Sequence, residues 1–178
     1  MDEFYRARYD TLCAIKTTPL NFGFISGGHM LIAVKSGRLD IVIWLRYNGI
    51  PWASWICEYA AENGHLDCLQ YAHENGCPWT EWTCAFAAQH GHLDCLQYLH
   101  ENGCPWDEWT CAYAAHNGQL ECLQYLHEDG YPGCPWDEQT CRFAAQDGHL
   151  DCLRYAHENG CPWVELTCEY VAQQTWSS

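Results

Sequence analysis

Fourteen cysteines are the residues of this chain best suited to chemistry, because thiolates bind zinc and other soft metals and can pair as disulfides. Thirteen of them occupy three fixed positions of a recurring phrase, and Cys13 lies outside it. One position precedes a proline, one stands two residues before an aromatic residue, and one follows an acidic residue. The three columns are Cys77, Cys104, Cys134 and Cys161; Cys57, Cys84, Cys111, Cys141 and Cys168; and Cys68, Cys95, Cys122 and Cys152.

The spacing within these columns favours a structural role for the thiols. Equivalent residues of stacked helical repeats lie about 8–10 Å apart, whereas a disulfide needs Cα atoms within about 7 Å and a zinc site needs converging ligands. A buried free cysteine behaves as a small hydrophobic residue, so we expect the cysteines to fill the core. Metal binding or disulfide formation stays open as the alternative, and elemental analysis for zinc separates the two.

Histidines form two further columns, one in a Gly-His-Leu phrase and one directly before an acidic residue. Catalysis by histidine needs a nucleophile and a third group that orients the base, and no serine or cysteine stands apart from the repeats. We therefore expect no enzymatic activity and no cofactor. The columns are His65, His92 and His149, and His73, His100, His127 and His157.

The phrase that carries these columns recurs along most of the chain. Its Pro-Trp step recurs every 27 residues, with a single step of 30, at Trp52, Trp79, Trp106, Trp136 and Trp163. A period of this size is typical of a solenoid in which one supersecondary unit is repeated and stacked.

Each unit reads as a turn followed by two short helices. In residues 103–129 the turn is Gly103-Cys104-Pro105-Trp106, Asp107 is a good N-cap for a first helix, and Gly118 separates that helix from a second one over 120–128. Helices of about nine residues do not persist alone in water, so each pair is stable only when stacked on its neighbours. The sequence predicts an all-α solenoid of antiparallel helix pairs.

The period also sets the expected boundaries. Residues 1–21 are predicted to form a capping helix and residues 22–178 the solenoid. Tyr131-Pro132-Gly133 is the interruption that enlarges one connecting loop. The units are expected at 22–48, 49–75, 76–102, 103–132 and 133–159, with a C-terminal cap at 160–178.

Charge is distributed unevenly along the chain. The formal net charge is −15, yet residues 47–178 hold 19 acidic and 2 basic residues, a net of −17. Such a field repels nucleic acid and anionic lipid and favours a basic protein partner, and a merely solubilising face is the alternative. The chain has no apolar run of membrane-spanning length and no apolar leader at its start. We expect an intracellular, most simply cytoplasmic, protein.

The run Ala87-Ala88-Gln89-His90-Gly91-His92-Leu93-Asp94-Cys95-Leu96 resembles the ankyrin repeat, with its Ala-Ala pair and Gly-His-Leu-acid step, and the resemblance covers about 22–178. At 27 residues the unit is shorter than the family's usual length of about 33, which implies that the projecting β-hairpin is missing. The family's Thr-Pro-Leu-His opening is replaced by Trp82-Thr83-Cys84-Ala85, which implies loss of the hydrogen bonds its threonine and histidine make. Short Cys-Pro-Trp variants of this kind resemble those of large DNA viruses, algae and oomycetes.

The resemblance implies a protein-interaction module whose specificity lies at the two ends of each first helix. Two other functions stay open, namely a structural or cement subunit of a larger assembly and a thiol-rich metal-binding protein. The implied contact positions, with the tryptophans beside them, are Ser54, Trp55, Glu62, Asn63, Glu81, Trp82, Gln89, His90, Glu108, Trp109, His116, Asn117, Glu138, Gln146, Asp147 and Glu165.

Two tryptophan columns are expected to differ in burial. The tryptophan after each proline matches a buried valine of the family, so we expect it in the core. In the second column Trp55, Trp82 and Trp109 are followed by Gln139. We therefore expect that column to be partly exposed, either as an aromatic anchor for a partner or as packing against the neighbouring first helix.

Overall fold

The computed structural model describes residues 27–128 and 136–163, together with Glu165, Thr167 and Tyr170. These residues form ten α-helices and no strand, which confirms the predicted all-α fold. Nine helices have nine residues each, and the third has seven. They are α1 (Gly27–Lys35), α2 (Leu39–Tyr47), α3 (Ile56–Glu62), α4 (Leu66–Glu74), α5 (Glu81–Gln89), α6 (Leu93–Glu101), α7 (Glu108–His116), α8 (Leu120–Glu128), α9 (Glu138–Gln146) and α10 (Leu150–Glu158).

The odd-numbered helices are the first helices of the repeats and the even-numbered helices are the second. A glycine with positive φ ends each described first helix; at Gly64 the angle is 69°. Gly64 N donates to Ala61 O at 3.3 Å, and His65 N donates to Ala60 O at 2.9 Å. These two bonds form a Schellman motif, which satisfies the last carbonyls of the first helix and turns the chain into the second.

First helices lie closer together along the stack than second helices do. The reason is side-chain size, because the faces of the first helices carry buried alanines such as Ala87, Ala88, Ala114 and Ala115. The second helices carry larger buried residues such as Leu96, and these keep their backbones farther apart. A stack that is tighter on one side curves toward that side, so the first helices line its inner surface.

Side chains at the N-cap position fix where each first helix begins. Asp107 Oδ1 accepts from Trp109 N at 3.1 Å, while Asp107 N donates to the Thr110 hydroxyl at 3.5 Å. Thr80 N donates to the Thr83 hydroxyl at 3.2 Å in the preceding repeat. The expected loss of a threonine hydrogen bond near the helix start is therefore wrong, since Thr83 supplies one from a different position.

The third helix is two residues shorter than the others because its N-cap position lacks a capping side chain. Ala53 occupies the position of Thr80 and Asp107, and its methyl group cannot accept a hydrogen bond from the first turn. Residues 54–55 form a turn, and α3 begins only at Ile56. Ser54 and Trp55 therefore precede the helix, whereas Glu81 and Trp82 begin theirs.

Cysteine burial agrees with the core-filling prediction. The eleven cysteines in the described part of the chain are buried and carry free thiols. Cys68, Cys84 and Cys95 are 0% exposed. Within the described ranges no helix is long and apolar enough to cross a membrane.

Several expectations concern residues outside the described part of the chain. They are the capping helix over 1–21, the Tyr131-Pro132-Gly133 interruption, most of the C-terminal cap, and Cys13, Cys134 and Cys168.

Candidate interaction surface

Carboxylates repeat at the start of successive first helices. Glu81, Glu108 and Glu138 are the first residues of α5, α7 and α9, all three side chains are exposed, and Glu165 is exposed one unit later. Negative charge at a helix N-terminus is favoured by the helix dipole, so these positions suit glutamate. We call these four residues the acidic row; its members lie about 8–10 Å apart where the helices pack directly.

Indoles stand beside two members of the acidic row. Trp82 and Trp109 are 43% and 39% exposed. The ring of Tyr113 lies 6.4 Å from that of Trp82 and 6.0 Å from that of Trp109, and therefore supports both. Trp55 is half-buried at 5.7 Å from Tyr59, and Gln139 is half-buried at the equivalent position. The predicted partial exposure of this column is confirmed.

The other predicted contact residues lie at the opposite ends of the first helices. We call Glu62, Asn63, Gln89, His90, His116, Asn117, Gln146 and Asp147 the helix-end row; each is half-buried or exposed. A nine-residue helix separates this row from the acidic row by about 12 Å along its axis. The fold therefore presents two parallel rows and does not bring them together in one site.

Several members of the helix-end row already have partners within the chain. Asn63 Nδ2 donates to Tyr59 O at 2.9 Å, Asn117 Nδ2 donates to Tyr113 O at 3.1 Å, and His90 Nδ1 donates to Phe86 O at 3.0 Å. His116 Nδ1 lies 2.5 Å from Asp147 Oδ2 of the next repeat. These side chains hold helix ends and neighbouring repeats, so they are less available to a partner than the acidic row is.

The tryptophans after the prolines are not core residues, contrary to expectation. Trp52, Trp79, Trp106 and Trp136 are half-buried, and Trp163 is 39% exposed. A valine in the family position is small enough to be covered by its neighbours, whereas an indole extends past the second helix and is covered on part of its surface only.

All of these indoles except Trp52, which lies under Arg46, meet the histidine column at the end of the second helices. Trp79 stacks on His73 with ring centroids 3.7 Å apart, and His73 Nδ1 lies 2.9 Å from the hydroxyl of Tyr98 in the next repeat. His100 makes the same two contacts. Its ring centroid lies 4.3 Å from that of Trp106, and its Nδ1 lies 2.9 Å from the hydroxyl of Tyr125. The sequence analysis identified these histidines as a column but predicted no contact for them; the recurring order of His, Trp and Tyr was the signal for the contact.

The second histidine column also links neighbouring repeats. His65 Nε2 donates to Lys35 O at 3.0 Å, and His92 Nε2 donates to Glu62 O at 3.1 Å. A carbonyl only accepts, so in both rings the proton is on Nε2. Both histidine columns therefore have structural partners in neighbouring repeats.

The buried thiols of the second helices are held in the protonated form. Burial raises the pKa of Cys68, Cys95 and Cys122 to about 12, with a smaller contribution from the neighbouring acidic residues. In the portion of the chain that the structure describes, no group of three or more His, Cys, Asp or Glu residues is placed to hold a metal ion.

Comparison with known proteins agrees with this architecture. The family model described as ankyrin repeats in many copies matches residues 57–100 and 84–127, which together span α3 to α8. The crystal structure of the human ASB11 ankyrin repeat domain is similar to this chain with a TM-score of 0.63 and 17% sequence identity. The alignment covers 80% of this chain and 76% of that one. No curated protein matches the sequence.

Proposed function

This chain carries ankyrin repeats, and from that premise we propose that it is a non-enzymatic interaction module whose acidic row binds a basic segment of a partner protein. Ankyrin repeats are generally protein–protein interaction modules. The finer part of the proposal, the chemistry of the partner, rests on the side chains of the first helices.

The observation that carries the proposal is the repeated pairing of a carboxylate with an exposed indole. Glu81 precedes Trp82, and Glu108 precedes Trp109, in two first helices that pack directly on each other. A lysine or arginine of an extended segment can pair with each carboxylate while its alkyl part and charge lie over the indole. The spacing of about 8–10 Å matches every third residue of an extended chain, which rises about 3.3 Å per residue.

The charge of the rest of the stack supports the same partner. Residues 47–178 have 19 acidic and 2 basic residues, so the field around the acidic row is negative over many residues. Such a field steers a basic segment to the surface and raises its association rate at low salt. Exposed ion pairs contribute little individually, so the indoles supply the contact that keeps the segment bound.

Charge reversal along the acidic row tests the proposal. A partner is first isolated by pull-down from the source cell and identified by mass spectrometry. Association of the triple variant Glu81→Lys, Glu108→Lys, Glu138→Lys with that partner is then measured at low and high salt. We expect association to slow by about tenfold or more at low salt, and the wild-type rate to fall steeply as salt is added.

A matched control keeps the change in net charge and moves it to the second helices. Glu74→Lys, Glu101→Lys and Glu158→Lys replace exposed residues at the ends of α4, α6 and α10. We expect this control to slow association much less. If the affinity of the partner is indifferent to salt and to the reversals in the acidic row, that row is only a solubilising face, and the contact surface lies elsewhere on the stack.

A further inference from the structure

Cysteines from two different columns meet between neighbouring repeats. Cys57 lies in α3 and Cys77 lies in the turn before α5, and the Cys77 thiol is 3.8 Å from the carbonyl oxygen of Ala53, shortly before α3. Cys57 Sγ is 3.9 Å from the carbonyl oxygen of Cys77. The spacing of about 8–10 Å that separates equivalent residues does not apply here, because these two cysteines are 20 residues apart and not one full repeat.

The same pairing recurs along the stack. Cys84 Sγ lies 3.9 Å from the carbonyl oxygen of Cys104, which reproduces the first pair. Cys141 and Cys161 are also 20 residues apart, and Cys161 Sγ lies 3.3 Å from the carbonyl oxygen of Asp137, the residue before the helix that carries Cys141. In each case a cysteine of one first helix meets a cysteine of the turn that opens the next repeat. The corresponding partner of Cys111 is Cys134, which lies outside the described residues.

The two members of each pair differ in access to solvent. The turn cysteines Cys77, Cys104 and Cys161 are 4%, 5% and 4% exposed, whereas the helix cysteines Cys57, Cys84 and Cys141 are 0% exposed. Interaction between the paired thiols lowers the pKa of Cys77 and Cys161 and, together with burial, raises the pKa of Cys57 and Cys141. The turn cysteine of each pair is thus the member that small solutes reach first, and Cys77 and Cys161 are the members of their pairs that ionise first.

We propose that each pair, Cys57 with Cys77, Cys84 with Cys104 and Cys141 with Cys161, is an oxidation site at which hydrogen peroxide forms a disulfide between neighbouring repeats. The disulfide joins the first helix of one repeat to the opening turn of the next. It therefore fixes a contact that is otherwise held by packing alone.

The chemistry takes two steps. The thiolate sulfur of the turn cysteine attacks one peroxide oxygen, the O–O bond breaks, and the sulfur becomes a sulfenic acid while the released oxygen leaves as water after taking a proton. The sulfur of the helix cysteine then attacks the sulfenic sulfur, the S–O bond breaks, and a second water carries away the thiol proton. Two thiols are oxidised to one disulfide, and one peroxide is reduced to two waters. The bond forms when side-chain rotation brings the two sulfurs to about 2.05 Å.

Peptide mapping of the wild-type protein tests the proposal directly. The folded full chain is treated with hydrogen peroxide, remaining thiols are alkylated, and the protein is digested with pepsin at low pH, where disulfides do not exchange. We expect each pair to lose about 2 Da and to be recovered as a cross-linked peptide. The four cysteines of the column in the second helices (Cys68, Cys95, Cys122 and Cys152) should be recovered as alkylated thiols.

Two variants and one control sharpen the result. Cys77→Ser should abolish the link to Cys57 and leave the other two links in place, and Cys68→Ser should leave all three. Oxidation of the wild-type protein in guanidinium should give scrambled pairings instead, because the pairing depends on the fold. The proposal is overturned if the folded protein yields only sulfinic or sulfonic acids at the paired cysteines, leaves them as thiols, or forms the same mixture of links as the unfolded chain.

Discussion

Gly118 closes the turn between α7 and α8 for two separate reasons. Its φ of 70° is a conformation that β-branched residues resist, and a Cβ atom at this position would lie 2.6 Å from Nδ1 of His149 in the next repeat. The glycine therefore serves both its own turn and the contact with the next repeat.

We predict that Gly118→Val destabilises the protein by about 2 kcal/mol or more, because strain in the turn and the clash with His149 add. Gln119→Ala is the neighbouring control; it removes a half-buried side chain that lies against Gly91 without straining the turn, so its cost should be clearly smaller. Hydrogen exchange should show the repeats on either side of residue 118 opening separately in the valine variant. Equal melting temperatures for the two variants would contradict this.

His73 is the histidine at which burial has a clear electrostatic effect. Burial beside Trp79 lowers its pKa below the ordinary value of 6.5, and the nearby Glu74 offsets this only in part. The unfolded chain therefore binds the proton more tightly than the folded chain does. His73 contributes stability above the unfolded pKa, and that stability is lost as the pH falls through the folded value.

The expected result is an NMR titration midpoint for His73 below 6.5. His73→Gln should also reduce the fall in melting temperature between about pH 7 and pH 5. A midpoint above 6.5, or an unchanged pH dependence in the His73 variant, would show that the charged imidazole is stabilised by the stacked indole of Trp79.

At the scale of the helix, the start of each first helix depends on one side chain. Asp107 caps α7, whereas Ala53 leaves α3 without a cap and two residues shorter. We predict that Asp107→Ala costs about 1 kcal/mol in urea unfolding and that Asp107→Asn, which keeps an acceptor oxygen, costs much less. A similar loss in both variants would mean that the charge of Asp107, and not its cap, stabilises the helix.

Sequence periodicity predicted the helices well because each repeat contains the residues that form its own turn, N-cap and apolar face. It predicted the contacts between repeats less well. The pairs His73 with Tyr98 and Cys57 with Cys77 join different columns, and comparing equivalent residues along the period does not reveal them. The tryptophans after the prolines were assigned to the core by analogy with a buried valine of the family. The prediction was wrong because an indole is too large to be fully covered at that position. The contact residues at the two helix ends stay predictions.

At the scale of the whole molecule, the reactivity of the buried thiols measures how often the stack of repeats opens. Burial raises the pKa of Cys152 to about 11 and that of Cys95 to about 12, so both are protonated as well as inaccessible near neutral pH.

We predict that Ellman's reagent labels the second-helix cysteines of the native protein only as fast as the repeats open, and that in guanidinium all 14 thiols of the chain react promptly. Because of their greater access, the turn cysteines should react first in the native protein. Prompt labelling of Cys95 and Cys152 without denaturant would show that the stack opens far more often than its packing implies.

The two tryptophan columns are also expected to differ in their fluorescence emission. Trp79 and Trp106 are half-buried and stacked on imidazoles, while Trp82 and Trp109 extend into water beside the acidic row. An indole in water emits at longer wavelength than one shielded from it, so Trp82, Trp109 and the similarly exposed Trp163 contribute to the red edge of the emission spectrum. A basic segment bound along the acidic row, as proposed above, shields Trp82 and Trp109 and shifts the edge toward the blue, so that binding is detected without any dye.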